Sequence, residues 1–242
     1  MLEIKNLYVQ VGDSLILKGV SFYVNKGEVV ILMGPNGGGK TTLLHTIMGM
    51  PKYKIIDGQI LFNGVDITNL PPNERAKLGI GIMFQKPPSI RGISLKELAS
   101  IVQGKHDNTT LEKNAEAINM KDYLEREVNF GFSGGELKRS EVFQLLCQNP
   151  NLILLDEPES GVDIENISLI GQNINNLLGK DEKIKHREKS GIIVTHTGYI
   201  LEYVNAQKGF ILIDGKIVCE GTPNDILDEV RKYGYRRCQQ CK

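Results

Sequence analysis

Residues 34–41 form the octet Gly-Pro-Asn-Gly-Gly-Gly-Lys-Thr, which limits the possible folds of this 242-residue chain more than any other feature. An apolar run at 29–33 precedes the octet, and a segment with helical spacing of apolar residues, 42–48, follows it. A GxxxxGKT pattern between a buried strand and a helix is typical of a phosphate-binding loop, because its backbone N–H groups can surround phosphate oxygens. The alternative is a glycine-rich turn that binds nothing. Such a turn would not require the strand and helix patterns on either side or all the fixed residues of the GxxxxGKT pattern. The octet predicts an α/β domain that binds a nucleoside triphosphate.

Most residues of this loop are expected to contact the triphosphate. The Lys40 ammonium can reach the β- and γ-phosphates, and the Thr41 hydroxyl can ligate Mg²⁺. The other nucleotide-binding residues predicted in this segment are Gly34, Asn36, Gly37, Gly38, Gly39 and Thr42.

The charge composition disfavours nucleic-acid binding. Lysine and arginine together number 29, as do aspartate and glutamate, so the formal net charge is zero. A balanced charge provides no basic surface for nucleic acid or anionic lipid. No apolar run approaches the ~20 residues that cross a bilayer, and the N-terminus does not have a signal pattern. We expect a cytoplasmic protein with no membrane insertion and with reduced cysteines.

The apolar patterning predicts an α/β core with an inserted helical region. Alternating residues in the first 30 positions predict antiparallel strands, and a short helix is expected to open near Pro72. Further strands are predicted at 58–62, 79–84, 152–156, 191–195 and 210–213, and helices at 95–102, 111–120 and 134–147. We therefore expect 1–85 and 151–242 to form an α/β core with an antiparallel β part, and 86–150 to form a helical subdomain. The charged run 180–189 is predicted to be a solvated loop.

Two acids follow the apolar strand predicted at 152–156. In a chain with a phosphate loop, Asp156 at the end of a buried strand is the expected second anchor for Mg²⁺. Glu157 lies one residue further, where it could orient or deprotonate an attacking water. The alternative is a strand that ends in two solvated acids, but the four apolar residues before them favour the functional interpretation.

His196 follows the strand predicted at 191–195. A single histidine usually has a structural role, so a functional one is inferred only in combination with the other motifs. Its position would let the imidazole contact the γ-phosphate.

Residues 132–136, Phe-Ser-Gly-Gly-Glu, open a predicted helix. Ser133 and Glu136 have the spacing of a capping box, which alone would explain a helix start. Capping does not require Gly134 and Gly135, which leave backbone donors exposed at the helix N-terminus. This segment therefore predicts a second anion site.

The order of these segments resembles the nucleotide-binding domain of ABC ATPases over nearly the whole chain. The resemblance implies that ATP is the substrate and Mg²⁺ the cofactor, with Gln85 as a catalytic residue and a metal ligand. The implied catalytic residues are Gln85, Glu157 and His196, the implied metal ligands are Thr41, Gln85 and Asp156, and Ser133 and Gly135 bind ATP.

The family resemblance further implies a head-to-tail dimer. Two copies enclose two ATP molecules, so that Ser133 and Gly135 of one copy face the phosphate loop of the other. ATP binding closes the dimer and hydrolysis releases it. Val11 occupies a position where many members carry an aromatic residue that stacks on adenine, which leaves the base selectivity open.

Several stretches resemble the SufC branch of this family. The most informative is Phe-Ser-Gly-Gly-Glu followed by Lys138 and Arg139, in place of the usual Leu-Ser-Gly-Gly-Gln. The branch implies a SufB/SufD-type scaffold as partner and a role in iron–sulfur cluster assembly. The alternative is the ATPase subunit of a membrane transporter, and in either case residues 86–93 are the expected docking face. The neutral charge argues against a third class, ABC proteins that act on DNA or ribosomes.

Two cysteines near the end of the chain are a further candidate site. Cys238 and Cys241 have a spacing that can bind Zn²⁺ or an iron–sulfur cluster if a partner supplies more ligands. The neighbouring Arg236 and Arg237 would favour the thiolate form. The alternative is an exposed tail with two thiols that have no function.

Overall fold

The computed structural model describes residues 1–104, 107–179 and 187–235 of the chain. The strands are β1 (Leu2–Val11), β2 (Ser14–Val24), β3 (Val29–Met33), β4 (Lys54–Phe62), β5 (Val65–Asp66), β6 (Ile80–Met83), β7 (Ile90–Ser94), β8 (Glu127–Val128), β9 (Leu152–Asp156), β10 (Ser190–Val194), β11 (Lys208–Ile213) and β12 (Lys216–Gly221). The helices are α1 (Lys40–Met48), α2 (Pro72–Lys77), α3 (Leu95–Gln103), α4 (Asn108–Ala117), α5 (Gly134–Gln148), α6 (Ile164–Leu177) and α7 (Pro223–Tyr233). The predicted α/β class is confirmed.

A six-stranded sheet forms the centre of the fold. Its order is β12-β11-β3-β10-β9-β6, and neighbouring strands are parallel except for β12, which is antiparallel to β11. The parallel strands β3, β6, β9, β10 and β11 are almost entirely buried, and their successive side chains point to opposite faces of the sheet. In β9, for example, Leu152 and Leu154 pack on one side, whereas Ile153 and Leu155 pack on the other.

The antiparallel strands predicted in the first 30 residues belong to a second sheet, with the order β2-β1-β4-β5. This sheet and the core sheet enclose a shared apolar core together with α1, to which Leu43, Leu44 and Ile47 contribute. The helix after the phosphate loop is therefore fixed from two sides.

Helices α3, α4 and α5 lie in the segment 86–150, where the sequence predicts helices. They pack with α6 against the other face of the core sheet. The same segment contains an antiparallel pair, β7 and β8, that the helix-period pattern did not predict. The two strands are short, and 32 residues separate them in the sequence. The sequence therefore contains no hairpin signal that would predict their pairing.

Some predictions fall on residues that the structure does not describe. Cys238 and Cys241 lie outside the described residues, as does most of the charged run 180–189. Cys147 and Cys219, which are described, are not in disulfides. Across the described ranges, every helix is too short or too polar to span a bilayer.

Candidate nucleotide-binding and catalytic site

The predicted site residues meet at the carboxyl edge of the core sheet. The phosphate loop follows β3, Gln85 lies two residues after β6, Glu157 follows β9, and His196 lies two residues after β10. Parallel strands present their carboxyl ends at one edge, so these segments converge. The cleft there, of about 440 Å³, is lined by Ile16, Asn36, Gly37, Gly39, Lys40, Thr41, Thr42, Gln85, Glu157 and His196. Of the described residues that line it, Ile16 is the one that the sequence did not predict.

The phosphate loop rests on the end of β11 and on the turn that follows. The Gly215 N–H donates a hydrogen bond to the Gly38 carbonyl at 3.1 Å, and the Lys18 N–H donates to the Gly215 carbonyl at 2.9 Å. A Cβ atom at Gly34 would lie 2.0 Å from the Leu212 carbonyl oxygen, so only glycine fits there. These contacts fix the loop backbone from behind and leave its front open to the cleft.

Lys40 is buried at the base of the cleft. Its ammonium donates hydrogen bonds to the carbonyls of Gly34 and Pro35 at 2.8 and 2.9 Å. Burial lowers the pKa of Lys40, while the carboxylates of Glu157 and Asp156 act in the opposite direction. The phosphate loop thus holds the Lys40 ammonium in place, and this ammonium would help the loop to bind phosphate.

Asp156 is the residue that best fits a metal ion. It is fully buried, and among the described residues neither of its carboxylate oxygens has a hydrogen-bond partner. An unpaired buried carboxylate is unfavourable unless a cation joins it. Burial raises the pKa of Asp156, while the nearby Thr41 hydroxyl acts in the opposite direction. Carboxylate, hydroxyl and amide oxygens are ligands that Mg²⁺ prefers, so Asp156, Thr41 and Gln85 fit the predicted ion.

The Glu157 carboxylate is held by the other two residues predicted to be catalytic. Gln85 Nε2 donates to Glu157 Oε2 at 2.7 Å, and His196 Nε2 lies 2.7 Å from Glu157 Oε1. The Glu157 backbone is left-handed, with φ of 52°, and its N–H donates to the Val194 carbonyl. A left-handed non-glycine residue costs about 1 kcal/mol, and such strain is often found at functional sites. The structure therefore brings the side chains of Gln85 and His196 into contact with the Glu157 carboxylate.

The second predicted anion site lies at the start of α5. Ser133 and Glu136 form the predicted capping box, and the Tyr123 hydroxyl donates to the Glu136 carboxylate at 2.7 Å. Within the described residues, neither Ser133 nor Gly135 lines the cleft at the phosphate loop. A single chain therefore does not bring its two predicted anion sites together.

Glu159 is a buried acid next to the site. The sequence did not predict this residue as part of it. Its carboxylate accepts hydrogen bonds from the hydroxyls of Thr195 and Thr197, which flank His196. Burial raises the pKa of Glu159, while these bonds act in the opposite direction. The only signal in the sequence was the pair of threonines around a strand-end histidine.

Lys138 is a second buried charge whose contacts the sequence analysis missed. Its ammonium donates to the carbonyls of Phe84 and Gln85 at 3.4 and 3.2 Å. Burial lowers the pKa of Lys138, and neighbouring carboxylates, first Asp156, act in the opposite direction. Lys138 joins the start of α5 to the Gln85 backbone, more than 50 residues away in sequence, and no local pattern predicts such a contact.

Comparison with known proteins shows the family to which the chain is similar. Residues 17–160 match the family described as ABC transporter. The chain is 39% identical to a Streptococcus pyogenes protein named "Probable ABC transporter ATP-binding protein", over 97% of this chain and 93% of that protein. It is 37% identical to the "Probable ATP-dependent transporter ycf16" of Pyropia yezoensis, over 97% and 96%.

A solved structure shows the same fold. The dimeric ATP-binding cassette MJ0796, in a post-hydrolysis state bound to ADP and Pi, aligns with a TM-score of 0.75 at 26% identity. The alignment covers 92% of this chain and 98% of that one.

The fold and the cleft define an ATP-binding protein of the P-loop class that hydrolyses ATP. The family match covers more than half of the chain, and the identities of 37 and 39% extend over almost all of it. The chain belongs to the ABC transporter ATP-binding family.

Proposed function

We propose that this chain is the ATPase subunit of an iron–sulfur cluster assembly machinery of the SufC type. Two copies close around two ATP molecules, and closure changes the conformation of a SufB/SufD-type scaffold. The observation that carries the proposal is the segment 132–139, Phe-Ser-Gly-Gly-Glu-Leu-Lys-Arg, which replaces the more common Leu-Ser-Gly-Gly-Gln.

The contacts of this segment support a role for its unusual residues. Glu136 accepts a hydrogen bond from Tyr123, and Lys138 donates to the backbone of Phe84 and Gln85. Of the charged side chains that distinguish the segment, Lys138 is thus buried and Glu136 is half-buried with a hydrogen-bond partner.

The phosphate loop binds the triphosphate in this proposal. Lys40 and the backbone N–H groups of 34–39 contact phosphate oxygens, and the side chains of Thr41, Gln85 and Asp156 hold Mg²⁺. When bound, Mg²⁺ supplies neutralisation of the negative charge on the β- and γ-phosphates.

Glu157 handles the attacking water. Its carboxylate accepts a hydrogen bond from that water and directs it toward the γ-phosphate. In this proposal His196, which contacts Glu157, donates to a γ-phosphate oxygen. Gln85 links the metal ligands to Glu157 through its amide.

The second copy completes each site. Ser133 and Gly135 lie outside the cleft of their own chain, so in this proposal they contact the γ-phosphate bound by the other copy. The dimeric state of the related cassette bound to ADP and Pi supports this arrangement.

The second candidate function is the ATPase subunit of a membrane transporter. The name of the Streptococcus pyogenes relative favours it. The hydrolytic chemistry would be the same, and only the partner that docks on residues 86–93 would differ.

Affinity capture from the native cells separates these two functions. The Glu157→Gln variant should keep ATP bound and its dimer closed, so it is the bait, with ATP and Mg²⁺ present. The Lys40→Ala/Glu157→Gln double variant, which should not bind ATP, is the control. We expect a soluble scaffold of SufB/SufD type, identified by mass spectrometry, to be enriched over the control. A polytopic membrane protein enriched in the membrane fraction would contradict the assembly function and establish the transporter function.

A further inference from the structure

Helix α5 holds the segment 84–89, which contains Gln85, through a buried polar network. Glu141 lies at the centre of this network and is buried. Glu141 Oε2 accepts a hydrogen bond from the Phe84 N–H at 3.1 Å. Glu141 Oε1 lies 3.4 Å from both Asn129 Nδ2 and Gln144 Nε2, which donate to it. All three neighbours are donors, and an ionised carboxylate can accept from all of them.

Asn129 extends the network to the other end of the segment. Asn129 Nδ2 also donates to the Pro88 carbonyl at 3.0 Å, and the Asn129 backbone carbonyl accepts from the Ser89 hydroxyl at 3.0 Å. The Asn129 backbone is left-handed, with φ of 59°. The segment 84–89 is therefore attached at its start by Glu141 and at its end by Asn129.

We propose that Glu141 is a positioning residue for ATP hydrolysis, whose buried carboxylate fixes the Phe84 N–H and thereby holds Gln85 against Glu157. The inference rests on the roles proposed above for Gln85 and Glu157. Gln85 follows Phe84 directly, and its amide donates to the Glu157 carboxylate at 2.7 Å. A shift of the Phe84 backbone would displace that amide.

The position of Glu141 on α5 gives this contact a further consequence. The same helix begins with the Ser133 capping box, so a movement of that end when the second copy binds reaches the Phe84 N–H through Glu141. The neighbours of Glu141 on the helix, Val142 and Phe143, are core residues. An apolar side chain would be easier to bury at such a position than an acid. What the acid adds is the set of directed hydrogen bonds to the segment 84–89.

The test compares two substitutions at Glu141 that separate volume from charge. Glu141→Gln keeps the size of the side chain but turns a donor toward Asn129 and Gln144, whereas Glu141→Asp keeps the carboxylate and shortens it. Steady-state ATP hydrolysis is measured at pH 8, with thermal unfolding to confirm that each variant is folded. Glu116→Gln is the matched control, because this acid of α4 is 69% exposed. Gln85→Ala serves as the reference for complete loss of the Gln85 amide.

We expect kcat to fall about fivefold or more in Glu141→Gln and by less in Glu141→Asp, with the KM for ATP unchanged within about twofold in both. The Glu116→Gln control should match the parent chain. A purely structural role would give the opposite order, since Gln preserves the packing volume better than Asp. That order, or an unchanged kcat in Glu141→Gln while Gln85→Ala is impaired, would overturn the role of Glu141 alone. An unchanged kcat in Gln85→Ala would overturn the role of Gln85 and this inference with it.

Discussion

At the scale of single residues, several buried charges are satisfied by backbone groups. Arg75 is 1% exposed, and its guanidinium donates to four carbonyls, those of Thr46, Ile47, Leu70 and Thr68, at 2.8 to 2.9 Å. The first two carbonyls belong to the last turn of α1, where helix carbonyls lack partners within the helix. Arg75 therefore anchors the end of the helix that begins at the phosphate loop.

Replacement of Arg75 should be strongly destabilising. Arg75→Met keeps much of the apolar stem but removes the side-chain donor from four carbonyls, of which the Thr46 carbonyl still accepts from the Gly49 N–H, so we expect the free energy of unfolding to fall by about 2–4 kcal/mol. Urea denaturation measures this loss. Lys77→Met, on the same helix with its side chain 72% exposed, should change stability by less than about 0.5 kcal/mol. Equal effects of the two substitutions would contradict this role of Arg75.

Glu141 should make stability depend on pH. Burial raises the pKa of its carboxyl from 4.5 to about 7, although the Phe84 N–H, Asn129, Lys138 and Gln144 act in the opposite direction. The carboxyl keeps its proton more readily in the folded chain than in the unfolded one. Its contribution to stability is thus fully present below pH 4.5 and is lost as the pH rises through about 7.

The pH dependence can be isolated by difference. We expect the parent chain to gain about 1 kcal/mol of unfolding free energy relative to Glu141→Gln when the pH falls from about 8 to about 6. Urea denaturation of both proteins at each pH measures this, and the subtraction removes the contributions of other titrating groups. A loss of unfolding free energy relative to Glu141→Gln over the same pH change would show that folding lowers the pKa of Glu141.

The sequence predicted the residues that line the cleft better than the buried residues that hold the neighbouring backbone in place. Lys40, Thr41 and Asp156 could be predicted because each belongs to a local motif between a strand and the next element. Arg75 and Glu141 could not, because their partners are carbonyls and N–H groups that come close only after folding. In the sequence alone, a charged residue that is buried against backbone groups cannot be distinguished from one that is exposed to solvent.

At the scale of elements, the turn between β11 and β12 supports the phosphate loop from behind. Gly215 in this turn has φ of +79°, and a Cβ atom there would lie 1.9 Å from the Ile16 carbonyl oxygen. Its N–H also donates to the Gly38 carbonyl. A change in this turn should therefore reach the nucleotide site without altering any residue that lines it.

A matched pair of glycine substitutions tests the support of the loop. Gly64 has a similar φ of +81°, but a Cβ atom there would meet nothing within 4 Å. Gly64→Ala should cost only the backbone strain, about 1 kcal/mol, and leave ATP affinity unchanged. Gly215→Ala adds a steric overlap, so we expect a loss of about 3 kcal/mol or more and an ATP Kd raised by about tenfold. Urea denaturation and fluorescence titration measure the two quantities, and equal values for both variants would contradict the proposed support.

Most elements followed from periodicity and from turn residues. The buried strands β3, β9, β10 and β11 were predicted because each is a short apolar run with a polar or glycine boundary. The pair β7 and β8 was not, because its short strands join residues that are distant in the chain. Helix periodicity predicted α3 and α5 but gave no information on how α5 holds the segment 84–89.

At the scale of the whole molecule, the proposed site is divided between two surfaces of the chain. The cleft contains the phosphate loop, Gln85, Glu157 and His196, whereas Ser133 and Gly135 lie elsewhere. The sequence predicted both surfaces, and family resemblance implied that a second copy would unite them.

The most direct test of this account is the mass of the Glu157→Gln variant in solution, measured by light scattering with and without ATP and Mg²⁺. The account predicts a monomer without nucleotide and a dimer with ATP, because hydrolysis that would reopen the dimer is blocked. The Ser133→Arg/Glu157→Gln variant should remain monomeric with ATP, since the added side chain obstructs the site of the other copy. A Glu157→Gln chain that binds ATP and stays monomeric, or a dimer that the Ser133→Arg change does not affect, would contradict the shared site.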